Sequence, residues 1–172
     1  MKTSRAVIRT AVKSDAKEVI DYLNTISGES DFLTFGIGEV KESIEQEEEF
    51  IENTSKKDNA LFILAEVDGK IVGGLNFSGG FRPRTAHIGE FGVSVLRDYW
   101  GNGIGEQLIE YLIDWCQKNG LIRKINLRVR NDNTRGIKLY KKFGFREEGL
   151  ITKDYLINGT FYDSILMGLS ID

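Results

Sequence analysis

The chain has little of several residues that would each suggest a chemistry. Among its 172 residues there is one cysteine, one proline and one histidine. A lone Cys116 cannot close an intrachain disulfide, which fits a reducing, cytoplasmic setting. With His87 as the only histidine, zinc ligands are too few, and no metal site is expected. The same scarcity removes any Cys-His or Ser-His-Asp arrangement for covalent catalysis. No apolar run approaches the roughly 20 residues of a membrane-spanning helix, and the N-terminal stretch lacks the apolar core of a signal peptide. Repeats, low-complexity tracts and Pro/Ser linkers are missing, so one domain over residues 1–172 is expected.

What is present is an ordinary globular composition, with 41% apolar and 28% charged residues. The net charge of −3 argues against nonspecific nucleic-acid binding. It hides an asymmetry. Residues 29–58 carry ten acids and three bases, a net of −7, whereas residues 97–146 carry eleven bases and five acids, a net of +6. The acidic stretch could attract a cation and the basic one could hold a small polyanion, if these are more than two solvated faces.

Periodicity orders the elements. Ala6–Arg9 reads as a first strand. Asp15 and Glu18 resemble a capping box ahead of a helix carrying Val19, Ile20, Leu23 and Ile26. A loop with Phe32, Leu33 and Phe35 precedes an acidic helix from about Val40 to Asn53. Asp68-Gly69 marks a hairpin between two strands, and Ile88–Val95 reads as a fourth. A helix with Ile104, Leu108, Leu112 and Trp115 ends near Gly120, and Cys116 belongs to its apolar side. A fifth strand carries Ile125, Leu127 and Val129. Asn133 can cap the next helix, closed by Gly144, and Asn158-Gly159 marks a last hairpin. Hairpins followed by strand-helix-strand-helix-strand predict a mixed α/β sheet with helices on both faces.

The most informative stretch is Val93-Ser94-Val95-Leu96-Arg97-Asp98-Tyr99-Trp100-Gly101-Asn102-Gly103-Ile104-Gly105, a strand feeding a glycine-rich turn that opens a helix. Glycines let backbone N–H groups approach a ligand, and the helix N-terminus adds partial positive charge, which together suit a phosphate. It is not a nucleoside-triphosphate loop, because Glu106 follows Gly105 where Lys is needed. Nor is it a dinucleotide fingerprint, since the last glycine position falls on Glu106 or Leu108.

A second stretch runs Asn133-Thr134-Arg135-Gly136-Ile137-Lys138-Leu139-Tyr140, then Gly144-Phe145. In order and spacing the two stretches resemble the GNAT acetyltransferase superfamily, whose glycine positions fall on Gly103 and Gly105. Its Asn, Leu-Tyr and Gly-Phe positions fall on Asn133, Leu139-Tyr140 and Gly144-Phe145. Ile8-Arg9 with Asp15-Ala16 resembles the family's opening, and Asp154 to Met167, with its Gly-x-x-x-Asp, resembles the closing hairpin of bacterial members. Trp100 departs from the pattern, standing where Gln or Arg is usual.

The resemblance implies a single GNAT-like domain of about seven strands and four helices, splayed between the fourth and fifth strands. It implies acetyl-CoA as cosubstrate, with its pyrophosphate on Trp100, Gly101, Asn102, Gly103, Ile104 and Gly105. The pantetheine arm would pair with backbone at Val93 and Val95, with Asn133 assisting. An amine would attack the thioester directly, Tyr140 protonating the departing thiolate. In the ribosomal-protein alanine acetyltransferase branch a glutamate on the fifth strand is the base, but that position here is Arg128, which cannot serve. Glu90 on the fourth strand is the best replacement, through water; His87 reads better as a surface or packing residue. The implied acceptor is a primary amine on a small molecule or peptide, cationic by the charge argument. No nucleic acid or membrane partner is expected, and a homodimer is compatible with the pattern. A noncatalytic acyl-CoA-binding module is the alternative reading, and a pure interaction domain a third.

Overall fold

The computed structural model describes residues 5–30 and 32–172. Seven strands form one sheet: β1 (Val7–Thr10), β2 (Ala60–Val67), β3 (Lys70–Gly79), β4 (Ile88–Val95), β5 (Lys124–Arg130), β6 (Arg146–Ile157) and β7 (Thr160–Ser170). Four α-helices accompany them: α1 (Ala16–Ser27), α2 (Ile44–Ser55), α3 (Ile104–Asn119) and α4 (Thr134–Lys142). The spatial order is β1-β2-β3-β4-β5-β7-β6. Only the β4/β5 pair is parallel, and it is short, joining residues 88–90 to 124–126. Beyond Glu90 the two strands part, as the splayed sheet requires.

Local chemistry explains most boundaries. Asp68 and Gly69 both take positive φ, as do Asn158 and Gly159, which is the backbone of a two-residue hairpin turn. Gly120 ends α3 in the left-handed region. Asn133 caps α4, its Oδ1 accepting the Gly136 N–H at 3.0 Å. The acidic helix starts later than its charge pattern suggested, at Ile44, because Ser43 and Gln46 form a reciprocal capping box that fixes its first turn. Asp15 does not cap α1. Arg9 on β1 takes both its carboxylate oxygens at 2.7 Å, which holds that carboxyl below its ordinary range. Glu18 is likewise diverted, accepting the Ile71 N–H at 3.0 Å. A cation on the preceding strand, six residues back, outcompeted the helix cap.

The core packs α3, together with Val19 and Ile26 of α1 and Ile51 of α2, against the sheet. Ile104, Leu108, Leu112 and Cys116 recur every fourth residue on one face of α3 and are buried with Ile63, Leu75, Phe77, Ile125 and Leu127. Burying each large side chain stabilises by roughly 1.5–3 kcal/mol, and Leu112→Ala would cost about 2–5 kcal/mol. Burial lifts the Cys116 thiol to about 12, so it is inert packing. Gly89 is required by the same packing, since a Cβ there would sit 2.2 Å from the Phe77 ring.

Alternation assigns the two faces of β4. Phe91 meets Tyr140 of α4 edge to face at 5.9 Å, so Phe91, Val93 and Val95 look toward α3 and α4. Ser94 meets the Tyr22 hydroxyl of α1 at 2.7 Å, so Glu90, Gly92 and Ser94 look toward α1 and α2.

Candidate active site

Where β4 and β5 part, a cleft of about 1980 Å³ opens through the sheet. A pocket for one small ligand spans roughly 300–1,000 Å³, so there is room for two substrates at once. At the point of parting, Phe91, Tyr140 and Phe145 pack around one another with ring centroids 5.8–6.1 Å apart. They fill the space behind the gap.

On the α3 side the site is made of backbone. Residues 97–99 form a 3-10 turn, and Gly101 and Gly103 then take φ of 80° and 75°. A Cβ at either would meet nothing within 4 Å, so conformation, not space, calls for glycine. The turn delivers the chain to the first turn of α3, whose N–H groups have no intrahelical partner. Among the described residues, the amides of Gly101 through Glu106 find no protein acceptor. Six adjacent donors at the positive end of a helix form an anion cradle, and this fits a pyrophosphate.

The side chains around the cradle brace it. The Trp100 indole N–H donates to the Val95 carbonyl at 2.7 Å, and its ring centroid lies 5.1 Å from the Arg135 guanidinium and 5.9 Å from that of Arg97. Asn102 turns its amide back onto the Tyr99 carbonyl at 3.0 Å, outside the cleft. The Ile104 side chain belongs to the core, so only its N–H can face a ligand. At Gly105 a Cβ would sit 3.7 Å from Leu139 of α4, an ordinary contact, so packing does not require glycine there. Val93 and Val95 pair with Leu75 and Gly73 of β3. On the β5 side this part of β4 has no strand partner, though Val95 already gives its carbonyl to Trp100. Asn133 lines the cleft while its Oδ1 stays committed to the helix cap.

On the other face the site is made of side chains. Glu90 lies 3.4 Å from Arg128, and the same guanidinium holds Asp154 at 3.3 Å. Glu90 is half exposed, whereas the Asp154 side chain is only 15% exposed. Asp154 and Tyr155 escaped the sequence reading. They reach the cleft because β6 bulges between Ile151 and Tyr155. Lys153 there takes φ 53°, and its N–H donates to Asp163 at 2.8 Å. Asp163 is the last residue of the Gly-x-x-x-Asp run, which was the available signal: its carboxylate fixes the bulge that re-aims Asp154. His87 does not line the cleft; its carbonyl accepts the Arg123 N–H at 2.8 Å in the turn into β5.

Tyr140 stands between the two faces. Burial pushes its hydroxyl up to about 12, with Tyr155 adding to the shift. Tyr155 is raised in turn by burial and by Asp154, with Glu90 contributing and Arg128 and Arg130 opposing. The phenols and carboxylates therefore share one electrostatic environment. Arg130 is buried, bonded to Asp132 at 2.7 Å and stacked 3.7 Å over Tyr162. Among the described residues, no helix is long and apolar enough to cross a membrane.

The chain is similar to known proteins. A family model described as the acetyltransferase (GNAT) family matches residues 21–145. The chain is 35% identical over 105 residues to the L-amino acid N-acetyltransferase AaaT of Escherichia coli, covering 61% of this chain and 65% of that one. It is 24% identical over 163 residues to the spermidine N(1)-acetyltransferase of Vibrio cholerae, covering 93% and 90%. The crystal structure of a GNAT-family acetyltransferase from Streptococcus pneumoniae matches with a TM-score of 0.94 and 34% identity, over 98% of this chain and 100% of that chain. The chain belongs to the GNAT acetyltransferase family and is an N-acetyltransferase.

Proposed function

We propose that residues 1–172 form one catalytic domain in which Glu90 and Tyr140 transfer the acetyl group to a primary amine on a cationic small molecule or peptide. In this reading the amides of Gly101–Glu106 hold the pyrophosphate, whereas the Trp100 N–H, expected from the sequence to join them, is spent on the Arg97 carbonyl at 3.1 Å. The open edge of β4 at Val93 and Val95 takes the pantetheine arm, and Asn133 offers its side-chain NH₂. The acetyl thioester then lies in the gap between the strands, beside Tyr140.

The chemistry follows from what each group can do. An alkylammonium titrates near a pKa of roughly 10.4, so the acceptor must lose a proton before it can attack. Glu90 takes that proton through water. The neutral nitrogen adds to the thioester carbonyl, the C–S bond breaks, the thiolate leaves with the Tyr140 hydroxyl proton, and the second proton on the new amide nitrogen passes through water to the Tyr140 phenolate, restoring it. A hydroxyl shifted to about 12 is still protonated at neutral pH, which is the form an acid needs.

The acceptor's charge rests on the cleft lining. Glu39, Glu42, Glu47, Glu90 and Asp154 all line it. Arg130, bonded to Asp132, and Arg135, Lys138 and Lys142 of α4 line it too, and so does Arg128, whose guanidinium Glu90 and Asp154 already hold. An acceptor carboxylate, as on the amino acids that AaaT is named for, would have to displace both. The named enzymes among its relatives disfavour a noncatalytic acyl-CoA-binding role. Acetyl-CoA is the cosubstrate in this reading, and a cytoplasmic location is in keeping with it.

The observation that carries this reading is one cleft joining a bare amide cradle to an acid and a carboxylate. Thiol release from acetyl-CoA, followed across polyamines, amino acids, aminoglycosides and N-terminal peptides, tests it. Cationic amines should turn over fastest, and their advantage should fade as salt screens it over about 8 Å. A best acceptor that is anionic would overturn the charge assignment.

A further inference from the structure

Glu47 has no use in the chemistry above. It lies in the first turns of α2 with Ile51 and Thr54, on the face that packs toward the sheet. Only 6% of it is exposed, yet it lines the cleft. Among the described residues no hydrogen bond or ion pair reaches its carboxylate. Burial raises its pKa, and nearby Glu42 raises it further. A buried carboxylate without a cation is costly, and proteins keep such groups paired as a rule. Its position near the helix N-terminus favours negative charge, but that would serve equally well on the exposed side, where Glu45 lies.

The path from Glu47 to the reacting centre has a distinct character. Phe50 of α2 packs edge to face on Phe62 of β2 at 6.0 Å. Register then runs across the floor from Phe62 to Asn76 of β3 and Gly92 of β4, two residues from Glu90. Two strand spacings, about 10 Å, separate β2 from β4. Between them the cleft is walled by Tyr22, Leu23, Phe62 and Leu64. An acidic end, an apolar passage and a catalytic carboxylate match an aliphatic chain with nitrogen at both ends.

We infer that Glu47, assisted by Glu42, is a distal ammonium subsite that makes the enzyme selective for acceptors carrying a second cationic nitrogen. This rests on the acceptor reading above and names its substrate class: aliphatic diamines and polyamines, or a peptide amine with a basic side chain. The second ammonium stays charged and is not acetylated; it aligns the chain so that the first amine reaches the thioester.

The test is a matched comparison of cadaverine with pentylamine, spermidine and longer diamines, on wild type and on Glu47→Gln. Gln keeps the shape and removes a buried charge, so the fold should be at least as stable, and an unchanged KM for acetyl-CoA verifies the active site. The expected result is a rise of about 10-fold or more in the diamine KM, little change in kcat, and no change for pentylamine. Equal loss for diamine and monoamine would overturn the subsite and make Glu47 structural. Wild-type indifference to the second nitrogen across all spacer lengths would overturn it as well, while acetylation of those amines would leave the catalytic reading standing. If no amine is acetylated, that reading fails by itself. Calorimetric binding of spermidine then decides the subsite: loss of binding in Glu47→Gln supports it, and identical binding removes it.

Discussion

The two sides of the cleft are built from different materials. Toward α3 the site is backbone: six amides with no acceptor among the described residues, shaped by left-handed Gly101 and Gly103. Toward α1 and α2 it is side chains: Glu90 and Asp154 on Arg128, with Glu47 farther out. The ligand chemistry matches the division. In the proposed assignment the pyrophosphate, the same in every catalytic cycle, is met by donors that every residue carries. An acceptor varies among relatives, and only side chains can be exchanged to follow it. Substitutions should therefore divide into those that remove chemistry, those that remove backbone shape, and those that remove only a brace.

The largest effect is expected at Tyr140, where the two sides meet. Tyr140→Phe keeps the ring packed on Phe91 and Phe145 and deletes the hydroxyl. Turnover should fall by about 100-fold or more with little change in affinity for acetyl-CoA, read by steady-state kinetics and calorimetry. Near-normal turnover would make Tyr140 a packing residue and the comparison two-sided only. The raised hydroxyl pKa also has a stability consequence. Because the folded value lies above the ordinary value near 10, its contribution is complete below about pH 10 and is lost as pH climbs toward 12. Tyr140→Phe should lose that part of the alkaline sensitivity in a pH series of thermal melts.

Next come the carboxylates. Glu90→Gln should cut turnover by about 10- to 100-fold and flatten the rise of rate with pH, leaving CoA binding intact. Asp154→Asn, which leaves Arg128 one partner, should reduce turnover less and keep the slope of that profile. The reverse pattern would transfer the base to the less exposed Asp154.

The same division explains what the sequence could disclose. The cradle was legible because its requirements are local: glycine at fixed spacing before an apolar helix, and Asn133 at a helix start. The hairpins at Asp68-Gly69 and Asn158-Gly159 were legible for the same reason. The acceptor side depends on register. Glu90 could be placed on a strand facing the site, but its contact with Arg128 joins two strands, and Asp154 arrives through a bulge pinned by Asp163, nine residues on. No local pattern announces which distant carboxylate a guanidinium will hold. Asp15 shows the converse, a capping signal that read clearly and was overridden by Arg9 from another element.

Gly103→Val attacks shape. A β-branched residue at φ 75° costs roughly 1–2 kcal/mol and would pull the turn toward negative φ, redirecting the amides. Affinity for CoA should drop about 10-fold or more, with only a modest fall in melting temperature. Wild type should gain about 2.7 kcal/mol of stability at 100 times the CoA dissociation constant, and the variant less at equal ligand. A folded Gly103→Val with wild-type affinity would show that the phosphate binds elsewhere.

The smallest effect is expected beside it, at Trp100, and that smallness is the sharpest test of a backbone-built site. Trp100 replaces the polar residue usual in the family, and here it spends its one donor on the Val95 carbonyl. Trp100→Phe removes that hydrogen bond, worth about 0.5–1.5 kcal/mol net, and keeps an aromatic face for Arg97 and Arg135. It leaves all six amides in place. Affinity for CoA should therefore change by less than about 10-fold, below the loss caused by Gly103→Val two glycines away. The freed Val95 carbonyl could even accept from the pantetheine arm, which would offset part of the loss. If calorimetry instead shows Trp100→Phe to be the more damaging variant, the indole and its two guanidinium neighbours hold the cosubstrate. The cradle would then be built from side chains like the rest of the cleft.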